Sequence, residues 1–279
     1  MKYKLLASDL DGTLLNSQSI ISPENIKAIK KLTELGILFV PSTGRAYSEL
    51  ADELRTNDAI RYYICSGGAV TYDKLTGEKL GEYIPSSCLS EILSVLAGFE
   101  HWKIMHYDNY TYVQQSEITR ERMDHYGLHP YLRALATETA RRTDDLDSFI
   151  VEHGDIEMIA AVFITEEEAV ACEKALSKID GITVLRGTMG HGIHNVEVVS
   201  SRACKGSMLL KLADHLGIPY EAVMSVGDSA NDLSMIKAVE HSFAVSNATE
   251  DVKNAAKWVI CSNNEHAISH ILENYVNKG

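Results

Sequence analysis

The sequence has few cysteines, and they form no recognisable binding or cross-linking pattern. The five cysteines are Cys65, Cys88, Cys172, Cys204 and Cys261. They are odd in number, widely spaced and contain no Cys-x-x-Cys pair. The sequence therefore suggests neither a disulfide framework nor a zinc cluster.

Long apolar segments are also absent from the sequence. No stretch approaches the roughly 20 apolar residues that a membrane-spanning helix needs. The first residues, MKYKLLASDLDG, turn acidic after a short apolar run and lack the length and cleavage pattern of a signal peptide. We therefore expect a cytoplasmic protein with no membrane partner.

Basic residues are scarce relative to acidic ones. The chain has 26 Lys and Arg against 39 Asp and Glu, a net charge of −13. This balance argues against a nucleic-acid partner, because such proteins usually present a basic face. An anionic small molecule stays compatible with it, since a bound cation can reverse the local charge.

Both ends of the chain alternate between strand and helix patterns. Buried strands are predicted for YKLLAS (3–8), ILFVPS (37–42) and RYYICS (61–66). A helix begins after Ser22, with proline at its first position, and a second is predicted over 44–56. A helix and a buried strand recur at 205–217 and 222–227. This alternation predicts an α/β protein with a parallel sheet.

The middle of the chain follows a different pattern. One hairpin is predicted over 69–84, turning near Thr76-Gly77, and a second turns at Asp108-Asn109. Helical and strand patterns then mix without βαβ order, which predicts an α+β domain. We place a parallel-sheet core at 1–84 and 194–279 and an inserted cap at 85–193.

Chemically useful residues cluster where the predicted parallel strands end. Ligands of open parallel sheets bind beyond the carboxyl ends of the strands. Those ends carry the segments Asp9–Thr13, Ser42–Arg45 and Gly227–Asp232, and Lys205 begins the helix before the last strand. Clustered carboxylates are tolerated around Mg²⁺, whereas hydroxyls, lysine and the open N–H groups of Gly12 and Gly44 suit phosphate. The combination is suited to phosphoryl transfer.

Four short segments resemble the motifs of the haloacid dehalogenase-like (HAD) phosphatases. They are DLDGT (9–13), STGR (42–45), KG (205–206) and GDSANDLSM (227–235). Their order, with a large insertion between the second and third, resembles the Cof-type subfamily. The resemblance implies a Rossmann-like core, an α+β cap, Mg²⁺ as cofactor and small phosphomonoesters, often sugar phosphates, as substrates.

The resemblance also implies roles for individual residues. Asp9 would attack phosphorus and form an aspartyl-phosphate, and Asp11 would protonate the leaving oxygen and then activate water. Mg²⁺ would be held by the Asp9 carboxylate, the Asp11 backbone carbonyl and Asp228. Residues two apart on an extended chain point the same way, so Asp9 and Asp11 can both face one substrate.

The remaining motif residues would bind or support the phosphoryl group. Thr43, Gly44, Lys205 and Asn231 are predicted to bind phosphate, with Ser42, Arg45 and Asp232 in supporting positions. Arg45 has two interpretations, an ion pair with the cap or a contact with substrate. His191 and His194, near the return to the core, form either a plain connector or a loop that touches substrate.

One departure and two alternatives accompany this interpretation. The family often has Asn-Gly-Ala after the third strand, whereas this chain has Ser66-Gly67-Gly68-Ala69. A phosphomutase of the same superfamily would return the phosphoryl group to a sugar, and a non-catalytic sensor would only bind a phosphometabolite. The presence of Asp11 argues against the sensor, and the oligomeric state stays open.

Overall fold

A computed structural model describes residues 2–186 and 194–277 of the chain. The strands are β1 (Leu5–Ser8), β2 (Leu38–Pro41), β3 (Tyr62–Cys65), β4 (Val70–Asp73), β5 (Lys79–Gly81), β6 (Trp102–Tyr107), β7 (Tyr110–Gln114), β8 (Arg141–Thr143), β9 (Met158–Phe163), β10 (Ile182–Arg186), β11 (His194–Ser200), β12 (Val223–Gly227), β13 (His241–Ala244) and β14 (Trp258–Val259). The α-helices are α1 (Pro23–Glu34), α2 (Asp52–Arg55), α3 (Ser86–Leu96), α4 (Arg120–His125), α5 (Pro130–Ala134), α6 (Leu146–His153), α7 (Glu166–Leu176), α8 (Lys205–His215), α9 (Leu233–Ala238), α10 (Glu250–Ala255) and α11 (Ala267–Ile271).

Internal contacts divide the chain into two compact units. The first unit comprises Met1–Thr43, Ala51–Leu80 and Cys204–Gly279, and the second comprises Gly44–Leu50 and Gly81–Ala203. Both units are therefore built from segments that are not continuous in sequence.

The first unit contains a parallel sheet with strand order β14-β13-β12-β1-β2. β1 lies between β12 and β2 and runs parallel to both. All four residues of β1 are buried, as expected for a strand covered on both faces. The helix α1 begins as predicted, because the Ser22 side chain accepts a hydrogen bond from the backbone N–H of Asn25 and Pro23 occupies the first turn. The predicted α/β, Rossmann-like core is confirmed.

A small sheet of order β3-β4-β5 belongs to the first unit except for Gly81, the last residue of β5. The predicted hairpin over 69–84 corresponds to β4 and β5. β3 was predicted as a buried strand in a series of βαβ units, and all of its residues are buried. Its main partner is nevertheless the antiparallel strand β4, and only one bridge, Ser42 to Ile64, joins it to the β2 side in the parallel direction.

The second unit is built on a six-stranded sheet with the order β10-β11-β9-β6-β7-β8. Neighbouring strands are antiparallel except for β7 and β8, and the β6–β7 turn has left-handed φ angles at Asp108 (51°) and Asn109 (66°). Alternation along β6 sends Met105 into the cluster with α3, α6 and α7, and Ile104 into the cluster with α4 and α5. The predicted α+β organisation of the inserted domain is confirmed.

The domain boundaries near 84 and 193 stay a prediction. The chain passes between the two compact units at 43/44, 50/51, 80/81 and 203/204, and residues 187–193 lie outside the described residues. β11 belongs to the second unit because it pairs antiparallel with both β9 and β10. From sequence alone, a buried strand looks the same in either kind of sheet.

The predicted helix over 44–56 is wrong. Only a 3₁₀ turn at Tyr47–Glu49 and the short helix α2 form there, because Ala46 and Leu50 are extended. The 3₁₀ turn lies in the second unit, where the Ser48 backbone N–H donates to the Asn109 carbonyl (3.0 Å). Tertiary hydrogen bonds thus override the local helical pattern.

Among residues 2–186 and 194–277, the helices are all too short or too polar to cross a bilayer.

The second unit's core offers a direct test of packing with a neighbouring control. Ile150 is fully buried on α6, whereas the adjacent Val151 is 52% exposed. We expect Ile150→Ala to lower the free energy of unfolding by about 2–5 kcal/mol through a lost side chain and a residual cavity. Val151→Ala should stay within about 0.5 kcal/mol of wild type, as for most surface substitutions. Urea denaturation measures both, and equal effects would contradict the assigned packing.

Candidate active site

Two adjacent strands bring acidic residues to one edge of the parallel sheet. The Asp9 backbone N–H donates to the Val226 carbonyl (3.0 Å), so the β1–β12 ladder continues to the acid itself. Asp228 follows directly after β12. The register of the two strands therefore places both acids at the carboxyl edge, where the sequence predicts a site.

Lys205 is the cation at the centre of this cluster. It is only 1% exposed, and its Nζ donates to Asp9 Oδ1 and to Asp232 Oδ1, each at 2.7 Å. The start of α8 is fixed by a capping box between Cys204 and Ser207. The capped helix start places the buried ammonium group between two carboxylates.

Close backbone approach at Gly206 supports the same geometry. A Cβ added at Gly206 would lie 2.2 Å from the Ser234 carbonyl oxygen at the start of α9. Only glycine allows α8 and α9 to approach so closely, so the residue after Lys205 is constrained by packing.

Asp232 organises the loop after β12 as well as binding Lys205. Its Oδ2 accepts hydrogen bonds from the backbone N–H groups of Asp228 (2.9 Å) and Ser229 (3.1 Å). Both oxygens of this fully buried carboxylate are therefore engaged within the protein. The contacts fit the supporting position that the sequence predicts for Asp232.

The cluster carries more negative than positive charge. One ligand atom from each of Asp9, Asp228 and Asp232 lies within 4.8 Å of the others. Burial and the nearby Asp232 charge raise the pKa of Asp9 well above its usual range and that of Asp228 to about 6. Burial disfavours the charge on Lys205, but Asp232 and Asp9 outweigh it and raise the pKa of its ammonium group. A further cation would relieve this imbalance.

The oxygens in the cluster suit a hard divalent cation. Asp9 Oδ2 is buried and has no hydrogen-bond partner among the described residues. Asp228 Oδ1 accepts a hydrogen bond from Thr13 (3.4 Å), and a Cβ at Gly12 would lie 2.5 Å from Asp228 Oδ2. Because the oxygens of Asp232 are already engaged, Asp9 and Asp228 are the better side-chain ligands. Asp11 is exposed, and its predicted role as a ligand through the backbone carbonyl stays a prediction.

Ser42 and Thr43 follow β2 on the same sheet. The backbone N–H of Ser42 donates to the Ser8 carbonyl (2.8 Å), and the backbone N–H of Thr43 donates to the Ile64 carbonyl (2.9 Å). Ser42 Oγ is buried and has no partner among the described residues, whereas Thr43 is almost fully buried. Both residues are held at the carboxyl end of β2. Phosphate binding by Thr43 and the supporting role of Ser42 stay predictions.

The other predicted site residues are more dispersed. Asn231 lies in the same loop as Asp232 and accepts a hydrogen bond from Ser229 Oγ (2.8 Å). Gly44 and Arg45 belong to the second unit, where the Arg45 guanidinium lies 4.9 Å from the Tyr131 ring centre. His191 lies outside the described residues, and His194 Nδ1 lies 2.9 Å from Glu166 Oε2 within the second unit.

The loop Ser66–Gly68 contributes a constraint that the sequence analysis missed. Its three residues have left-handed φ angles, and a Cβ at Gly68 would lie 2.2 Å from the backbone of Cys204. This loop thus packs against the residue that precedes Lys205. The pair of consecutive glycines is the signal that indicates such a close approach.

Comparison with known proteins gives the family. A family model described as haloacid dehalogenase-like hydrolase matches residues 6–272. The chain belongs to this family. It is 30% identical to the phosphatase YwpJ of Bacillus subtilis, over 97% of this chain and 99% of that protein.

Further relatives agree with this assignment. A 5-amino-6-(5-phospho-D-ribitylamino)uracil phosphatase of Bacillus subtilis, YwtE, is 29% identical over 97% of each chain. A HAD-like hydrolase structure from Bacteroides thetaiotaomicron matches with a TM-score of 0.80 and 27% identity, covering 98% of this chain and 99% of that one. The predicted Cof-type HAD phosphatase is confirmed at the level of family, fold and enzyme class.

The buried ion pairs of Lys205 should contribute to the stability of this phosphatase, and replacing the lysine tests this. We expect Lys205→Met to lower the free energy of unfolding by about 3–5 kcal/mol near neutral pH, because it leaves buried carboxylates without their cation. The loss should shrink as the pH falls, since protonation removes the uncompensated charge. Urea denaturation across pH, without added metal, measures both effects.

Lys253→Met is the matched control. Lys253 forms an ion pair with Glu250, whose side chain is 80% exposed, at 3.0 Å. Its removal should change stability by about 0–1 kcal/mol, as for surface pairs. A Lys205→Met variant as stable as this control would contradict the structural role of the buried ammonium group.

Proposed function

We propose that this HAD-like phosphatase is Mg²⁺-dependent and hydrolyses small phosphomonoesters, sugar phosphates or related metabolites, through an aspartyl-phosphate on Asp9. The observation that carries the proposal is the buried Asp9 carboxylate. One of its oxygens is bound by Lys205 and the other has no hydrogen-bond partner among the described residues. An oxygen held in this way is available to a metal ion or to phosphorus.

Asp9 and Asp228, with the Asp11 backbone carbonyl, would hold the cation. Bound Mg²⁺ would supply charge that stabilises the transferring phosphoryl group and keeps Asp9 ionised despite its burial. The raised pKa values of Asp9 and Asp228 support this assignment, because both reflect a site that lacks positive charge.

The chemical steps follow from the residues of the chain. A carboxylate oxygen of Asp9 attacks phosphorus, the bond from phosphorus to the ester oxygen breaks, and Asp11 gives its proton to the leaving alcohol. Asp11 then takes a proton from water, which attacks phosphorus, releases inorganic phosphate and regenerates Asp9. The exposure of Asp11 supports this role, since a group that exchanges protons with water and substrate must be accessible.

Lys205, Thr43 and Asn231 would hold the phosphoryl group during both steps, and the role of Gly44, in the second unit, stays a prediction from the sequence motif. The Lys205 ammonium group would reduce repulsion between the Asp9 carboxylate and the substrate dianion. Ser42 and Asp232 would keep their neighbours in place. The substrate class is supported by the relatives, among them YwtE and a pyridoxal phosphate phosphatase of Escherichia coli, YbhA, which is 25% identical.

Replacing the two motif acids separates their roles. Asp9→Asn should abolish phosphate release from a panel of phosphomonoesters, and Asp11→Asn should lower kcat by about 10²–10⁴, the usual contribution of a general acid–base group. Asp251→Asn, at an exposed position on α10, is the control and should leave the rate unchanged. Full activity in Asp9→Asn would exclude the proposed nucleophile. Release of a sugar-phosphate isomer instead of phosphate would indicate a phosphomutase.

Metal binding can be measured without activity. MgCl₂ should raise the stability of the wild type, by about 2.7 kcal/mol when its concentration is 100 times the Kd. Because the pKa of Asp228 is about 6, protons compete with the metal at lower pH, and the stabilisation should fall as the pH drops below that value. Thermal unfolding checks both, and Asp228→Asn should lose the effect. An equal stabilisation of Asp228→Asn would show that Mg²⁺ binds elsewhere.

A further inference from the structure

The segment Gly44–Leu50 is anchored in the second unit, far in sequence from the rest of that unit. The chain leaves the first unit after Thr43, contributes these seven residues to the second unit and returns at Ala51. The segment begins with Gly44 and Arg45, which belong to the STGR motif. The contacts that anchor this segment therefore help to position Arg45.

Ser48 ties the segment to the β6–β7 hairpin through its backbone and its side chain. Its N–H donates to the Asn109 carbonyl (3.0 Å), and its Oγ accepts from the backbone N–H of Thr111 (3.4 Å). The 3₁₀ turn at Tyr47–Glu49 is thus oriented by the hairpin rather than by its own helical pattern.

Glu49 attaches the segment through its side chain. Its side chain is 5% exposed, and its Oε1 lies 3.1 Å from His106 Nε2. Thr111 Oγ1 also donates to Oε1, and the Tyr131 hydroxyl donates to Oε2 (2.8 Å). Because the ring of Tyr131 also lies against Arg45, one residue contacts both the anchor and the motif arginine.

The charge on His106 balances several buried acids. The His106 side chain is 2% exposed, and the carboxylates of Glu49, Glu157 and Glu197 act on it. Burial disfavours its charge, but the hydrogen bond and charge of Glu49, helped by the other two acids, raise its pKa above the ordinary 6.5. Burial likewise opposes ionisation of Glu49. The hydrogen bond and charge of His106, together with the hydrogen bonds from Thr111 and Tyr131, outweigh burial and lower the pKa of Glu49.

We propose that His106 is a positioning residue, whose ion pair with Glu49 holds residues 44–50, and with them Arg45, in the conformation that binds substrate. This inference rests on the proposed phosphatase function for its effect on substrate. It concerns a residue that lies outside the four sequence motifs.

Protonation of His106 then sets the strength of the attachment. Both members of the pair are charged between the lowered pKa of Glu49 and the raised pKa of His106. The pair weakens as the pH rises through the pKa of His106, because a neutral imidazole no longer offers Glu49 a positive charge. The Gly44–Leu50 segment should therefore be held less firmly at alkaline pH.

The test compares amide hydrogen exchange and kinetics of the wild type and His106→Gln. Glutamine keeps a hydrogen-bond donor but cannot titrate. We expect exchange at the Ser48 amide to be about tenfold faster in the variant at neutral pH, as for a locally destabilised segment. We expect KM for a phosphomonoester to rise by about tenfold with kcat little changed, the pattern of lost ground-state binding. In the wild type, KM should rise with pH above the pKa of His106, and this rise should vanish in His106→Gln.

Two further variants complete the design. Glu49→Gln removes the other charge of the pair and should reproduce both effects, so it decides the question if His106→Gln does not fold. His125→Gln is the control. His125 Nε2 lies 2.9 Å from Glu100 Oε1, and the two side chains are exposed, His125 by 45% and Glu100 by 56%. It should behave like the wild type.

The outcomes separate this inference from the proposed function. Unchanged exchange at Ser48 in both His106→Gln and Glu49→Gln would overturn the anchoring role. Faster exchange with an unchanged KM would overturn the effect on substrate. A wild type without phosphatase activity would contradict the proposed function alone, because the exchange of Ser48 is measured without substrate.

Discussion

The first unit depends on one buried ammonium group between two carboxylates. Lys205 reaches Asp9 from a position 196 residues further along the chain, and it reaches Asp232 across the α8–α9 contact. Without the lysine, these two almost fully buried carboxylates would lose the positive charge that compensates them. Gly206 and Gly68 admit the close backbone contacts that surround the lysine. The ion pairs of Lys205 therefore do two things. They join the two ends of the chain in one unit, and they balance the charge of the site.

Much of this arrangement is predictable from sequence because parallel sheets impose simple rules. Buried strands followed by Asp9, Thr43 and Asp228 predict one edge at which the acids and hydroxyls meet. The segment Gly44–Leu50 and the strand β11 are not predictable in this way. Hydrogen bonds to the β6–β7 hairpin replace the helix that the pattern of 44–56 favours. The buried run of β11 gives no sign that its partners are antiparallel.

The acidic cluster also contains contacts that the sequence motifs do not predict. The resemblance names the carboxylates of Asp9 and Asp228 and the backbone carbonyl of Asp11 as metal ligands, and the carboxylate of Asp232 lies with those of Asp9 and Asp228. Hydrogen bonds distinguish Asp232 from the other two, because its oxygens accept from Lys205 and two backbone N–H groups. A sequence motif identifies the residues of such a site. Which of their oxygens accept hydrogen bonds and which are available to a metal ion depends on geometry.

The most direct measurement of the proposed chemistry is the detection of the covalent intermediate. Turnover of a phosphomonoester is stopped by rapid acid quench, and the peptides are analysed by mass spectrometry. We expect a phosphoryl group on the peptide that contains Asp9, and none on the same peptide of Asp9→Asn. Steady release of phosphate with no phosphorylated Asp9 peptide at any quench time would exclude Asp9 as the nucleophile.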